Sequence, residues 1–350
     1  MNKGLTTALL SVAVILLIIA LIIKIHAAVN VTNESNWNYR QIEKIDTTKN
    51  EFSFIVFGDN KNSIRTFEDM IARINEEDSL FAIGCGDFVY DGSKEKYNFV
   101  LKQLKKFDKP IVTVVGNHDI ADYGRENYYN IFGNYYYSFS VGDVYFIILD
   151  NANEIELDPW QMDWLKGELK RSQSFQYRFV FMHVPLYDPR IEVPKKPILY
   201  LPVISEYEYY TELYNRTQAL ELSRLFNQYH VTHVFFSHIH GYYTGLMGDI
   251  PYTITGGAGA ELFGSDPEHY FYHYIKVSIA KDKLEQDVVR LQTPKPRRLN
   301  RLLNFLWIYI YAYFAIKFWD FILTLAGIFL VLYFVINRRD VIFGGIKKQW

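Results

Sequence analysis

Five short apolar runs in this chain each end on residues that bind metal ions or move protons. Phe52–Phe57 runs into Gly58-Asp59-Asn60, and Leu80–Ile83 runs through Gly84 and Cys85 into Gly86-Asp87-Phe88-Val89-Tyr90. Ile111–Val115 leads to Gly116-Asn117-His118-Asp119, Arg178–Met182 to His183, and His233–Phe236 to Ser237-His238-Ile239-His240. Carboxylates bridge hard cations, imidazoles suit zinc and iron, and an amide oxygen completes a shell without adding charge. Any one of these residues alone reads as a turn residue or a satisfied core group. Together they read as a dinuclear metal site. Two neighbouring cations lower the pKa of a shared water and clamp the oxygens of a reacting group, which suits metal-assisted hydrolysis.

The elements that must position these residues are legible as well. Short runs rich in Val, Ile and Phe read as buried strands, and sites in α/β sheets form beyond strand carboxyl ends. Ile64, Phe67, Met70, Ile71 and Ile74 recur at helical spacing, as do Tyr97, Val100, Leu101, Leu104 and Phe107. Asp158 followed by Pro159 predicts a capped helix over Trp160–Lys170, and another is expected near Thr217–Tyr229. Tyr135–Ser140 with Val144–Leu149, and Tyr272–Ile279 with Leu284–Leu291, read as hairpins. Interleaving of this kind predicts α/β layers.

In motif order and spacing, Phe52 to Leu291 resembles the calcineurin-like metallophosphoesterase superfamily. Gly86-Asp87-Phe88-Val89-Tyr90 and Val180-Phe181-Met182-His183 are most similar to its purple acid phosphatase branch. The resemblance implies a two-sheet β-sandwich flanked by helices and two metal ions, iron paired with zinc, manganese or iron. It implies that Asp87 bridges both ions, with Asp59, Tyr90 and His240 on the first and Asn117, His183 and His238 on the second. His118 would contact the phosphoryl oxygen or protonate the leaving group, with Asp119 orienting its ring. Lys61 departs from the pattern, because the wider superfamily has His there and the purple branch Gly. It is expected to point away from the cations or to meet a substrate phosphate. Ser237 replaces the usual Gly before His238, and Thr255–Gly259 reads as either a late active-site loop or a plain turn. His230, His233, His269 and His273 match no motif and read as structural.

A net charge of −2 over 350 residues gives no basic field, so no nucleic-acid partner is expected. The single cysteine, Cys85, excludes an intramolecular disulfide. Gly4–Ile23 carries no charge, and about 20 such residues span a hydrocarbon core. The expected partition is an N-terminal transmembrane anchor or cleavable signal peptide at 1–28, a linker at 29–50, and the phosphoesterase domain at 51–292. A basic linker at 293–301, an interfacial aromatic helix at 302–319, a transmembrane helix at 320–337 and a basic tail at 338–350 follow. Positive charge after the last span puts both termini in the cytoplasm and the domain outside the cell membrane. Leu186–Asn215, rich in Pro and Tyr, reads as a substrate lid or a packing loop. The expected partners are a phosphoester substrate and membrane lipid. The rival readings are a non-catalytic binding protein on the same fold and a lipid-headgroup or lipid-pyrophosphate hydrolase.

Overall fold

Strand β1 (Phe52–Phe57) sends Phe54 and Val56 to one face and Ile55 and Phe57 to the other, and all four are fully buried. A strand buried on both faces must lie between two layers. The computed structural model describes residues 3–29, 33–190, 215–281, 283–292 and 297–337. They form two units, one spanning Thr32–Asn304 and the other drawn from Met1–Val31 and Phe305–Trp350.

In the larger unit β1 is parallel to β2 (Phe81–Gly84), which is parallel to β3 (Ile111–Thr113). The second sheet opens with the hairpin β4 (Tyr137–Val141) and β5 (Val144–Ile148), then adds β6 (Tyr177–Phe181) and β7 (His233–Phe236) in parallel. Its far edge is β8 (Tyr242–Met247) and β9 (Ile250–Thr255), of which β9 pairs with β7. The hairpin of β10 (His273–Ala280) and β11 (Lys283–Arg290) completes the first sheet, giving the order β11-β10-β1-β2-β3. The other sheet runs β4-β5-β6-β7-β9-β8.

Between the sheets lies an aromatic core of Phe54, Phe81, Phe139, Phe146, Phe179, Phe181 and Phe235. Edge-on pairs such as Phe54–Phe146 at 5.3 Å and Phe81–Phe139 at 5.8 Å join the two layers. Each such ring contributes about 1.5–3 kcal/mol when taken fully from water. Helices Arg65–Asn75 and Lys94–Leu104 cover the outer face of the first sheet through the apolar positions their spacing predicted. Pro159–Ser172 and Arg216–Gln228 cover the second, and the Asp158 carboxylate caps the former by accepting from Gln161 N at 2.9 Å. The architecture is α/β, two mixed sheets flanked by helices.

Two stretches expected to be linkers contain helical segments among their described residues. Within 29–50, Trp37–Ile42 is helical and Trp37 is buried, its Nε1 donating to the Ile111 carbonyl at 2.9 Å. Asn38 Oδ1 accepts from Thr113 N at 2.8 Å, so this segment covers the open edge of β3. One indole and one amide do this, and neither makes a periodic pattern. Within 293–301, Arg297–Phe305 is helical because the sequence holds neither Pro nor Gly beyond Pro296 in that stretch.

In the smaller unit, the helix Lys3–Val29 contains Ser11–Val29, with mean hydropathy 2.8, long and apolar enough to cross a membrane. The aromatic segment runs through a π-helical turn, Leu306–Tyr311, into Ala312–Ile316, and the chain then turns by 76° into the helix Phe318–Asn337. The break falls at Lys317, so Phe318 and Trp319 belong to the last helix rather than to the aromatic one. Lys24 Nζ donates to the Ala315 carbonyl at 2.6 Å, and His26 Nδ1 meets the Tyr311 hydroxyl at 2.6 Å. Most of the expected lid, residues 191–214, and the basic tail lie outside the described residues.

Candidate metal centre

The loops after β1, β2 and β3 are zipped together by their own backbones. Asp59 N donates to the Gly86 carbonyl at 3.1 Å, and Lys61 N to the Asp87 carbonyl at 2.9 Å. Gly86 has φ +89°, and a Cβ there would lie 2.6 Å from His183 Nδ1, so only glycine lets the second loop approach the fourth. Asp59, Asp87 and His238 adopt left-handed φ values of 59°, 57° and 67°. Such backbones persist only where their surroundings over-determine them.

Much of that determination comes from Asp119. Its buried carboxylate accepts from Gly116 N at 2.8 Å, Asp87 N at 2.9 Å, Phe88 N at 2.9 Å and Val89 N at 3.3 Å. The role expected for it was to orient the His118 ring. The His118 ring is oriented by a backbone group, with Nδ1 bonded to the Tyr90 carbonyl at 2.6 Å. The resemblance implied a dyad, but the short helix Asn117–Ile120 turns the two side chains to different partners.

Asp59, Asp87 and His183 present ligand atoms within 4.8 Å of one another. Asp87 Oδ1 accepts from His118 N at 2.9 Å and lies 3.3 Å from His183 Nε2. Asn117 Oδ1 stands 3.0 Å from His183 Nε2 and 3.1 Å from His238 Nδ1, whose rings meet edge-on at 89°. On the other side, His240 Nε2 is 3.7 Å from Asp59 Oδ1. A carbonyl can only accept, so the contacts of His183 Nδ1 with Cys85 O and of His240 Nδ1 with Glu261 O put the proton on Nδ1. Both rings thereby aim Nε2 inward, the arrangement of metal-ligating histidines. Asp59 Oδ1 is buried and makes no hydrogen bond, and Asp87 Oδ2 is buried and met only by the Lys61 ammonium at 3.2 Å. A buried carboxylate oxygen left like Asp59 Oδ1 is costly unless a cation meets it. The donor set therefore fits metal ions.

The electrostatics agree. Burial would raise the Asp87 carboxyl, but His183, then Lys61 and His118, hold it well below the usual carboxylate range. Burial opposes a charge on His183, yet Asp87 and then Asp59 push it up to about 9. Burial, reinforced by His183, pushes His238 down to about 3. Burial and the Asp87 charge push Asp119 up to about 7 against its amide donors. The centre is an anionic hole that draws a proton onto His183, and a cation taking that lone pair would displace the proton.

Other expected residues fall as follows. The Tyr90 ring lies 5.8 Å from the His118 ring and under Lys96 Nζ at 5.1 Å. Lys61 does not point away; its ammonium is 3.2 Å from Asp87 Oδ2. Its backbone, at φ 39° and tied to the second loop, turns the side chain inward. The Gly-rich loop belongs to the centre, with Ala260 N donating to Asp59 O at 2.8 Å and a Cβ on Gly256 lying 2.7 Å from Asp59 Oδ2. His233 and His273 are buried structural residues bonded to Thr253 and Thr255. Two contributors were missed. Ser237 donates its hydroxyl to Asp59 Oδ2. Asn151 Oδ1 accepts from His183 N and Val184 N, both at 3.0 Å, and so shapes the fourth loop. Asn151 follows β5 as the other site residues follow their strands, which was the available signal.

Residues 52–242 match the calcineurin-like phosphoesterase family. Serine/threonine-protein phosphatase CPPED1 of Rattus norvegicus is 27% identical over 213 residues, 55% of this chain and 64% of that protein. The Homo sapiens protein of the same name is 27% identical over 228 residues, 59% of this chain and 68% of that one. The chain thus spans about two thirds of the length of these curated relatives. Purple acid phosphatase PPD1 from yellow lupin (Lupinus luteus) superposes with a TM-score of 0.51 at 15% identity, covering 70% of this chain and 52% of that one. The structure of PhoD gives 0.55 at 10% identity, covering 71% and 70%. These likenesses show the same fold. With more than half of its length matched and the motif residues gathered at one end of the sandwich, the chain belongs to the calcineurin-like phosphoesterase family.

Proposed function

We propose that the chain is a membrane-anchored hydrolase of phosphate monoesters or diesters, working with two metal ions. The observation that carries this reading is the buried cluster in which Asp59, Asp87 and His183 turn ligand atoms toward one another, with Asp59 Oδ1 left without a hydrogen bond. Asp87 would bridge, Asp59, His240 and Tyr90 would hold the first ion, and Asn117, His183 and His238 the second. When bound, the ions would acidify a water and neutralise phosphoryl oxygens.

The residues of the chain supply the rest. The Tyr90 carbonyl holds His118 Nδ1–H, so Nε2 faces the departing oxygen and gives it a proton when the ring carries its second proton. His118 N donates to Asp87 Oδ1, so this acid and the bridging ligand are fixed by one turn. Phe263 stacks on His240 at 4.8 Å and covers that side of the centre. The relatives' name directs the substrate search first to phosphoserine and phosphothreonine monoesters. The apolar helix Ser11–Val29 and the bent pair after Arg301 support anchoring, with both termini cytoplasmic and the domain outside.

The test is His118→Ala in the full chain. Turnover of a phosphomonoester should fall by roughly 10²–10⁴-fold with metal content unchanged. Unchanged turnover would remove His118 from the mechanism, and activity absent from the wild type on monoesters and diesters alike would favour a non-catalytic binding protein.

A further inference from the structure

The two halves of the centre are built differently. On the second side an amide and two imidazoles converge, with Asn117 Oδ1 3.0 Å from His183 Nε2 and 3.1 Å from His238 Nδ1. On the first side, the place beside Asp87 Oδ2 is held by the chain's own cation, Lys61 Nζ, at 3.2 Å. The lysine side chain is only 15% exposed and the aspartate not at all, so solvent screens the pair weakly. Lys61 N also donates to Asp87 O, which anchors the residue at both its ends to the same aspartate. A metal ion bonded to Asp87 Oδ2 would lie within a few ångströms of the ammonium, where like charges repel strongly.

We propose that Lys61 is an internal cation that makes the two metal subsites unequal. The second subsite fills at low metal concentration. The first, formed by Asp59, Asp87 and His240, fills only when the ammonium leaves Asp87 Oδ2. The backbone pins stay in place, and the four-carbon stem makes the movement. This deepens the dinuclear reading above and rests on it.

The test is manganese binding to the metal-stripped full chain in detergent, followed by equilibrium dialysis with metal analysis. Wild type should bind one equivalent tightly and a second at least about tenfold more weakly, as expected if an ammonium must be displaced. Lys61→Met keeps the stem and removes the charge, and should bring the two affinities within about threefold of each other. Lys61→Arg should preserve the gap. Two equal equivalents in wild type would overturn the proposal whatever the variants do, and so would an undiminished gap in Lys61→Met. Wild type binding no manganese or zinc at all would overturn the dinuclear reading itself, a distinct failure.

Discussion

Replacing Asp119 by Ala separates a structural carboxylate from a catalytic one. The substitution strips the acceptor from four buried backbone amides, those of Gly116, Asp87, Phe88 and Val89. An unpaired buried donor costs about 1–3 kcal/mol, so the set sums to about 4–12 kcal/mol. Water entering the vacated space brings the expected loss to the lower end, about 4 kcal/mol, a large share of an ordinary domain's stability. Asp119→Asn keeps one acceptor oxygen and should lose about half as much. The assay is urea unfolding of the metal-stripped full chain at a pH above the value of about 7 to which burial and Asp87 push this carboxyl. Stripping removes any contribution from bound ions, and the loosened Asp87 loop should also bind metal poorly when reloaded. If Asp119→Ala loses less than about 1 kcal/mol while turnover collapses, the amides are not what Asp119 serves, and it acts through His118 after all.

Three other outcomes are expected. Tyr90→Phe should bleach iron-loaded protein, because a phenolate on ferric iron absorbs visible light. Colourless wild type with stoichiometric iron would make Tyr90 only the neighbour of His118 seen in the structure. Burial pushes His233 down to about 3 and His273 to about 4, against an unfolded value of about 6.5. The unfolded chain therefore takes up more protons below about pH 6.5, so stability falls as pH drops from there toward 4, by about 2 kcal/mol per histidine at pH 5. The His233→Gln, His273→Gln double variant should show a shallower loss between pH 7.5 and 5, and an unchanged slope would refute this. In intact cells, a tag after Trp350 should be protected while exposed Tyr123 of the domain is reached by an impermeant label; the opposite pattern would invert the topology.

What the sequence made legible was whatever leaves a period or a fixed spacing. Strand β1 coincides with the run Phe52–Phe57, and β7 with His233–Phe236, because burial on both faces demands apolar residues in succession, as in Phe54–Phe57 and Val234–Phe236. The candidate ligands were visible because each follows such a run. The roles of Asp119 and Lys61 were not. Lys61 depends on where a side chain points within a left-handed turn and Asp119 on the turn of a four-residue helix, and nothing in Asp59–Lys61 or Gly116–Asp119 encodes those directions locally. Trp37 and Asn38 were hidden for a related reason. They complete the edge of a strand more than 70 residues away, a contact that only the folded chain creates.

The central claim is that the loop cluster around Asp87 holds metal ions that hydrolyse phosphoesters. The most direct measurement is phosphate release by the full chain before chelation, after chelation, and after reloading with manganese, zinc or iron, alongside Asp87→Ala. Release should vanish on chelation, return on reloading, and stay absent in Asp87→Ala at every metal concentration. Release that survives chelation, or that Asp87→Ala retains at the wild-type rate, would contradict the account.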